Sequence, residues 1–134
     1  MPELRMRFPW TRRFTPMEIK IAAITARLLS SVVRFQRESD FQGSVARILE
    51  AFGFARERKI GPRERVDFMD ETGIVLELKV KRIGAVALLR QLKRYAGHDE
   101  VKALIVVTLF PVSLPTTIGK KPLHVVELWR AGVL

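Results

Sequence analysis

The sequence predicts an α/β protein, on three observations. Two amphipathic helical patterns open the chain, apolar alternation around hairpin-turn chemistry follows, and a third helical pattern leads into a β-branched apolar run. The expected order is α-α-β-β-β-α-β, with a candidate last strand.

The first helix is expected over 16–37, where Thr15 suits the N-cap and Pro16 the first helical position. Ile21, Ile24, Leu28, Val32 and Phe35 recur at steps of three and four and form its apolar stripe. Lys20, Arg27 and Arg34 repeat every seven residues beside it, a basic edge that is either a solvated flank or a phosphate-tracking surface. The second helix begins near Ser39 or Asp40, turns Phe41, Val45, Ile48, Leu49 and Phe52 inward, and stops at Gly53.

A strand over 54–60 and a Gly61-Pro62 turn lead to a hairpin over 65–80. Its loop is Glu71-Thr72-Gly73, because a three-residue hairpin loop wants a left-handed glycine at its last position. Asp70 then pairs with Ile74, and Asp67 lies opposite Glu77. Strands repeat their facing every second residue, so Asp67, Glu77 and Lys79 share one face. Val66, Phe68, Ile74, Leu76, Leu78 and Val80 share the other, expected to be a continuous core surface beneath a charged outer face. A helix over 84–96 follows, spaced by Leu88, Leu89 and Leu92 and stopped by Gly97. The run 103–110 is the strand buried on both sides, ended by Pro111. Residues 114–122, with Pro115 and Pro122, form a loop or short helix, and 123–129 is the candidate last strand.

With 134 residues the chain is long enough for one domain with a real core and too short for two ordinary ones. It divides into a basic arm (1–15), an extra helix (16–37), a core (39–110) and a C-terminal extension (111–134). No cysteine is present, which excludes disulfides, thiolate metal sites and cysteine nucleophiles. No apolar run approaches the roughly 20 residues of a membrane span, and the N-terminus has no signal-peptide pattern, so a cytoplasmic protein without a membrane partner is expected. Lysine and arginine total 24 against 14 aspartate and glutamate, a net charge of +10, which makes nucleic acid the expected partner.

Two carboxylates and an ammonium on one hairpin face are what a metal-dependent phosphodiesterase needs. Magnesium takes oxygen ligands, and Asp67, Glu77 and the Leu78 carbonyl would supply them, with Mn2+ as a substitute. Lys79 would orient the attacking water or stabilise charge on the phosphate. Taken alone, opposed acidic and basic residues are also common on solvated hairpins. His98 and His124 lack ligand spacing and a partnered serine, and no catalysis is assigned to them.

The element order, with Asp67, Glu77 and Lys79 on the second and third strands, resembles the PD-(D/E)XK nuclease superfamily over about 39–110. The resemblance implies a restriction-endonuclease-like αβββαβ core, a mixed sheet flanked by helices, here with an extra N-terminal helix. Gln91-Leu92-Lys93-Arg94-Tyr95 is similar to the Q-x-x-x-Y element of RecB-like nucleases, and its glutamine and tyrosine share a helix face at i and i+4. Gln91 would then act near the metal, and Tyr95 would contact nucleic acid with Arg65, Arg90, Lys93 and Arg94. Two positions depart from the pattern. Val66 stands where the naming proline would be, and Gln42 lies about where related small resolvases carry a metal-binding glutamate, acting instead through water or on nucleic acid. Glu57 lies on the first strand with its facing open.

The resemblance implies a Mg2+-dependent DNA endonuclease, working as a homodimer as small junction resolvases do, which a phage or mobile-element setting would suit. A catalytically inactive nucleic-acid-binding module of the same fold, and a protein-interaction subunit, are the alternatives.

Overall fold

The computed structural model describes residues 13–31 and 38–128. Thr15 caps the first helix, α1 (Pro16–Ser30), through a capping box: its hydroxyl accepts from the Glu18 N–H while the Glu18 carboxylate accepts from the Thr15 N–H, each at 3.1 Å. The helix ends at Ser30, short of the expected 37, because Ser31 is extended and returns its N–H to the Arg27 carbonyl. Val32, Arg34 and Phe35 lie outside the described residues, as do Arg5, Arg7, Trp10, Arg12 and Trp129. Ile21, Ile24 and Leu28 are buried as the stripe requires.

The remaining elements are α2 (Glu38–Ala51), β1 (Ala55–Lys59), β2 (Arg65–Met69), β3 (Ile74–Lys79), α3 (Ala85–Ala96), β4 (Ala103–Thr108), β5 (Thr117–Ile118) and β6 (Lys121–Glu127). The expected fold class is therefore observed, two helices followed by a βββαβ arrangement. The strands order as β1-β2-β3-β4-β6-β5 in one mixed sheet. β1, β2 and β3 are antiparallel, whereas β3, β4 and β6 run parallel. Among the described residues no helix is long and apolar enough to cross a membrane.

Helices α1 and α2 cover one face of the sheet through Ile24, Leu28, Phe41, Val45 and Leu49, packed on Phe68, Ile74, Leu76, Ile105 and Val107. Helix α3 covers the other through Leu88, Leu92 and Tyr95, packed on Met69, Val75, Leu104 and Val106. The sheet alternation thus fills two cores, and β4 is buried along its whole length.

This corrects the expectation of one core face and one charged outer face on the hairpin. The crossover from β3 to β4 lays α3 over the second face, so Met69 and Val75 are buried there and Glu77 is only 2% exposed. Val66 packs on the α3 side with Ile60, apart from Phe68.

The tip of the hairpin follows the turn argument. Gly73 has φ +95, the Gly73 N–H donates to the Asp70 carbonyl, and the Asp70 N–H donates to the Ile74 carbonyl. A β-carbon on Gly73 would also lie 2.5 Å from the Glu100 carbonyl oxygen. Lys102 and Ala103 donate their N–H groups to the Gly73 carbonyl, which docks the tip on the loop entering β4.

The basic edge of α1 divides: Arg27 is exposed, as a solvated flank would have it, whereas Lys20 turns onto the hairpin. Lys20 forms an ion pair with Asp70, which is 2% exposed and also accepts from Thr72 and from the Ile74 N–H. Arg27 donates to Ser31 at 2.7 Å. At the other end of the chain, 114–122 resolves into a loop and the short β5, not a helix, and the last strand starts earlier than expected, at Lys121.

Candidate active site

The site forms where β2 and β3 part. The ladder pairs Met69 with Val75 and Phe68 with Leu76, and the next pair in that register is Asp67 with Glu77. There side chains take over from the backbone. The Asp67 N–H donates to Glu77 Oε1, and the Leu78 N–H donates to Asp67 Oδ2, each at 2.9 Å. The reciprocal bonds hold the two carboxylates together, as the Gly73 turn required.

Lys79 completes the group, its Nζ 3.5 Å from Glu77 Oε2. Burial, followed by the charge of Asp67, pushes the Glu77 carboxyl up to about 7, against the pull of the Asp67 N–H and the Lys79 ammonium. Two acids drawn together in a partly dry place therefore carry more negative charge than their surroundings compensate.

A cavity of about 290 Å³ opens beside them, lined by Gln42, Arg56, Glu57, Asp67, Phe68, Leu78 and Lys79. Gln42, where the resemblance expects an acid, is on its wall. Glu57 answers the question of its facing: it sits across β1–β2 from Asp67, in register between the pairs Arg56–Phe68 and Arg58–Val66, and lines the same cavity. Its φ is +50, a left-handed conformation that costs a non-glycine residue of order 1–3 kcal/mol and tends to mark functional positions. The shift of Val66 to the α3 side falls beside this break in the strand.

The α3 residues divide. Gln91 Nε2 donates to the Tyr95 hydroxyl at 2.8 Å, confirming a shared helix face, and that hydroxyl lies 3.4 Å from the Arg65 carbonyl. Tyr95 is 3% exposed, so it is a core residue and not the nucleic-acid contact expected of it. Burial, then the charge of Glu77, raises its hydroxyl pKa. Arg90, Lys93 and Arg94 are exposed and do not line the cavity, and Arg94 is held by Glu64 at 2.9 Å.

Sequence reasoning named Arg65 but missed the rest of the basic edge of the sheet. Arg56, Lys59, Arg63 and Arg65 are exposed on or beside β1 and β2, and Arg58 is partly so. The density of arginine over 56–65 was the available signal.

Chemically, the donor set at the carboxylates is oxygen, which suits a hard divalent cation that keeps several of its waters. Asp67, Glu77 and the Leu78 carbonyl are candidates to hold one, with Glu57 and Gln42 within the same cavity. Among the described residues no cluster of three or more acidic or histidine side chains is already drawn together for a metal. Compared with protein-family models, with curated proteins and with solved structures, the chain matches none.

Proposed function

We propose that the chain is a Mg2+- or Mn2+-dependent nuclease that hydrolyses DNA phosphodiester bonds, related to the PD-(D/E)XK superfamily. The observation that carries this reading is the pairing of the Asp67 and Glu77 carboxylates, each accepting from a backbone N–H of the opposite strand (Leu78 and Asp67), with Glu77 nearly buried and its proton affinity raised. Like charges held together in a low-dielectric place are costly, and a cation is the natural relief.

Asp67, Glu77 and the Leu78 carbonyl would hold the ion, and Glu57 and Gln42 would reach it directly or through its waters. Such an ion, when bound, supplies polarisation of the phosphate and a lowered pKa for coordinated water. Lys79 stabilises charge developing on the phosphate and orients the attacking water. Arg56 on the cavity wall, with Arg58, Lys59, Arg63 and Arg65 along the edge, positions the flanking phosphates. Cutting both strands of a duplex calls for two copies, and the outward side of α1, where Ile19 and Leu29 are exposed near Phe14, is the apolar surface we assign to their contact.

The second reading is a DNA-binding module without catalysis. It is favoured by Gln42 standing in for an acid and by the absence of a third converged ligand among the described residues. Cleavage assays on duplex, branched and single-stranded DNA with Mg2+ or Mn2+ decide between them. Asp67→Ala and Lys79→Ala are expected to lower the rate by about 10³-fold or more while DNA binding persists. Salt-sensitive binding with no cleavage of any of these substrates by the unaltered protein would select the binding module.

A further inference from the structure

We propose that Thr108 is a positioning residue for Lys79: its unpartnered hydroxyl is the acceptor to which the Lys79 ammonium turns from Glu77, and it sets how much of that ammonium Glu77 retains. The consequence for catalysis rests on the nuclease reading; the seat itself belongs to the fold.

Thr108 closes a strand whose other residues are Ala103, Leu104, Ile105, Val106 and Val107, all buried. It is 0% exposed, and its Oγ1 has no hydrogen-bond partner among the described residues. A valine would fill nearly the same volume without a hydroxyl to satisfy, so a buried threonine here needs a reason. The other buried side-chain atom in that position among the described residues is Gln91 Oε1, on the helix that covers the same face.

Sheet register supplies the reason. Lys79 on β3 pairs with Thr108, and Thr108 pairs with Glu127 on β6. On β3, Ile74 and Leu76 face α1 and α2 while Val75 faces α3, so Lys79 faces α3. On β4, Leu104 and Val106 face α3, and Thr108 follows them; on β6, Leu123 does, and Glu127 follows. Lysine, threonine and glutamate therefore form one row across the carboxyl ends of three parallel strands.

Adjacent strands lie about 4.8 Å apart, well within the span of a lysine side chain. Lys79 Nζ stands 3.5 Å from Glu77 Oε2, longer than a hydrogen bond, so this ion pair leaves its N–H groups able to serve another acceptor. A threonine hydroxyl offers one donor and two lone pairs. Lys79 on the neighbouring strand is a donor, which matches the hydroxyl's open acceptor capacity. An ammonium drawn toward Thr108 leaves more of Glu77 for a cation and keeps Lys79 beside the cavity it lines.

The test compares Thr108→Val and Thr108→Ser with the unaltered protein by NMR of the 15N-labelled lysine ammonium groups, Lys79 being assigned by its loss in Lys79→Arg. In Thr108→Val the Lys79 ammonium protons should exchange with water about tenfold faster, as loss of one charge-assisted hydrogen bond implies, and Thr108→Ser should restore the slow exchange. DNA cleavage should follow, with kcat about tenfold lower in the valine variant, KM for DNA unchanged, and the serine variant recovered. Thr108→Ala takes the place of the valine variant if valine crowds the strand end. Equal exchange in all variants, or a serine variant that behaves like the valine one, overturns the proposal. If the unaltered protein cuts no DNA, the nuclease reading falls while the exchange measurement still decides the seat.

Discussion

One hairpin carries two acids of equal burial, Asp70 and Glu77, each 2% exposed, and they are built in opposite ways. Asp70, at the tip, accepts from the Thr72 N–H and hydroxyl and from the Ile74 N–H, and it pairs with Lys20. Its negative charge has local donors and a cation. Glu77, where the strands part, accepts from the Asp67 N–H, sits against a second carboxylate, and has its lysine at a distance longer than a hydrogen bond. The first joins α1 to the hairpin. The second is held at a cost, which is the mark expected of a group whose proper partner is a ligand.

The largest effect expected from breaking this contrast is at Glu77. Glu77→Gln should reduce cleavage by about 10³-fold or more in Mg2+, yet raise metal-free stability at pH 8, read by thermal unfolding. The sign follows from linkage. The folded chain holds the Glu77 proton more tightly than the unfolded chain, so this group's stabilisation is complete below its ordinary value of 4.5 and is lost as pH rises through about 7. The gap between variant and unaltered protein should therefore close toward pH 4.5, and Mg2+ should stabilise the unaltered protein more at pH 8 than at pH 6.

Asp70→Ala should do the reverse. It leaves Lys20 without its carboxylate and strips the turn of its acceptor, and a loss of about 3 kcal/mol in denaturant unfolding is expected. Cleavage per folded molecule should be retained. A smaller change is expected at Glu57, where Glu57→Gln should weaken Mn2+ binding, measured by calorimetry, by about tenfold, on the scale of losing one supporting ligand contact. Unchanged affinity would return Glu57 to the role of a strand-edge residue.

The hairpin was legible in the sequence because its information is local. Gly73 fixes the turn, the turn fixes the register, and the register sets Asp67 against Glu77. The three helices and β4 were legible from periodicity for the same reason. What was not legible depends on distant contacts. Lys20 and Asp70 are fifty positions apart, and seven-residue spacing alone made Lys20 look like part of an exposed edge. The return of α3 over the sheet buries Tyr95 and half of the supposed outer face, although Met69 and Val75 among the charges were a signal of it. Glu57 could not be placed because its left-handed φ breaks the alternation by which strand facing is read. Thr108 ends an apolar run, where one hydroxyl carries little weight until the register names its neighbours.

The docking of Gly73 onto the loop entering β4 has a practical consequence for anyone altering this protein. Residues 71–73 resemble an ordinary surface bend, the usual choice for inserting a tag or a fluorophore, yet the Glu100 carbonyl leaves that bend no room to grow. One extra residue there would slide β2 against β3 and separate the acids without touching either.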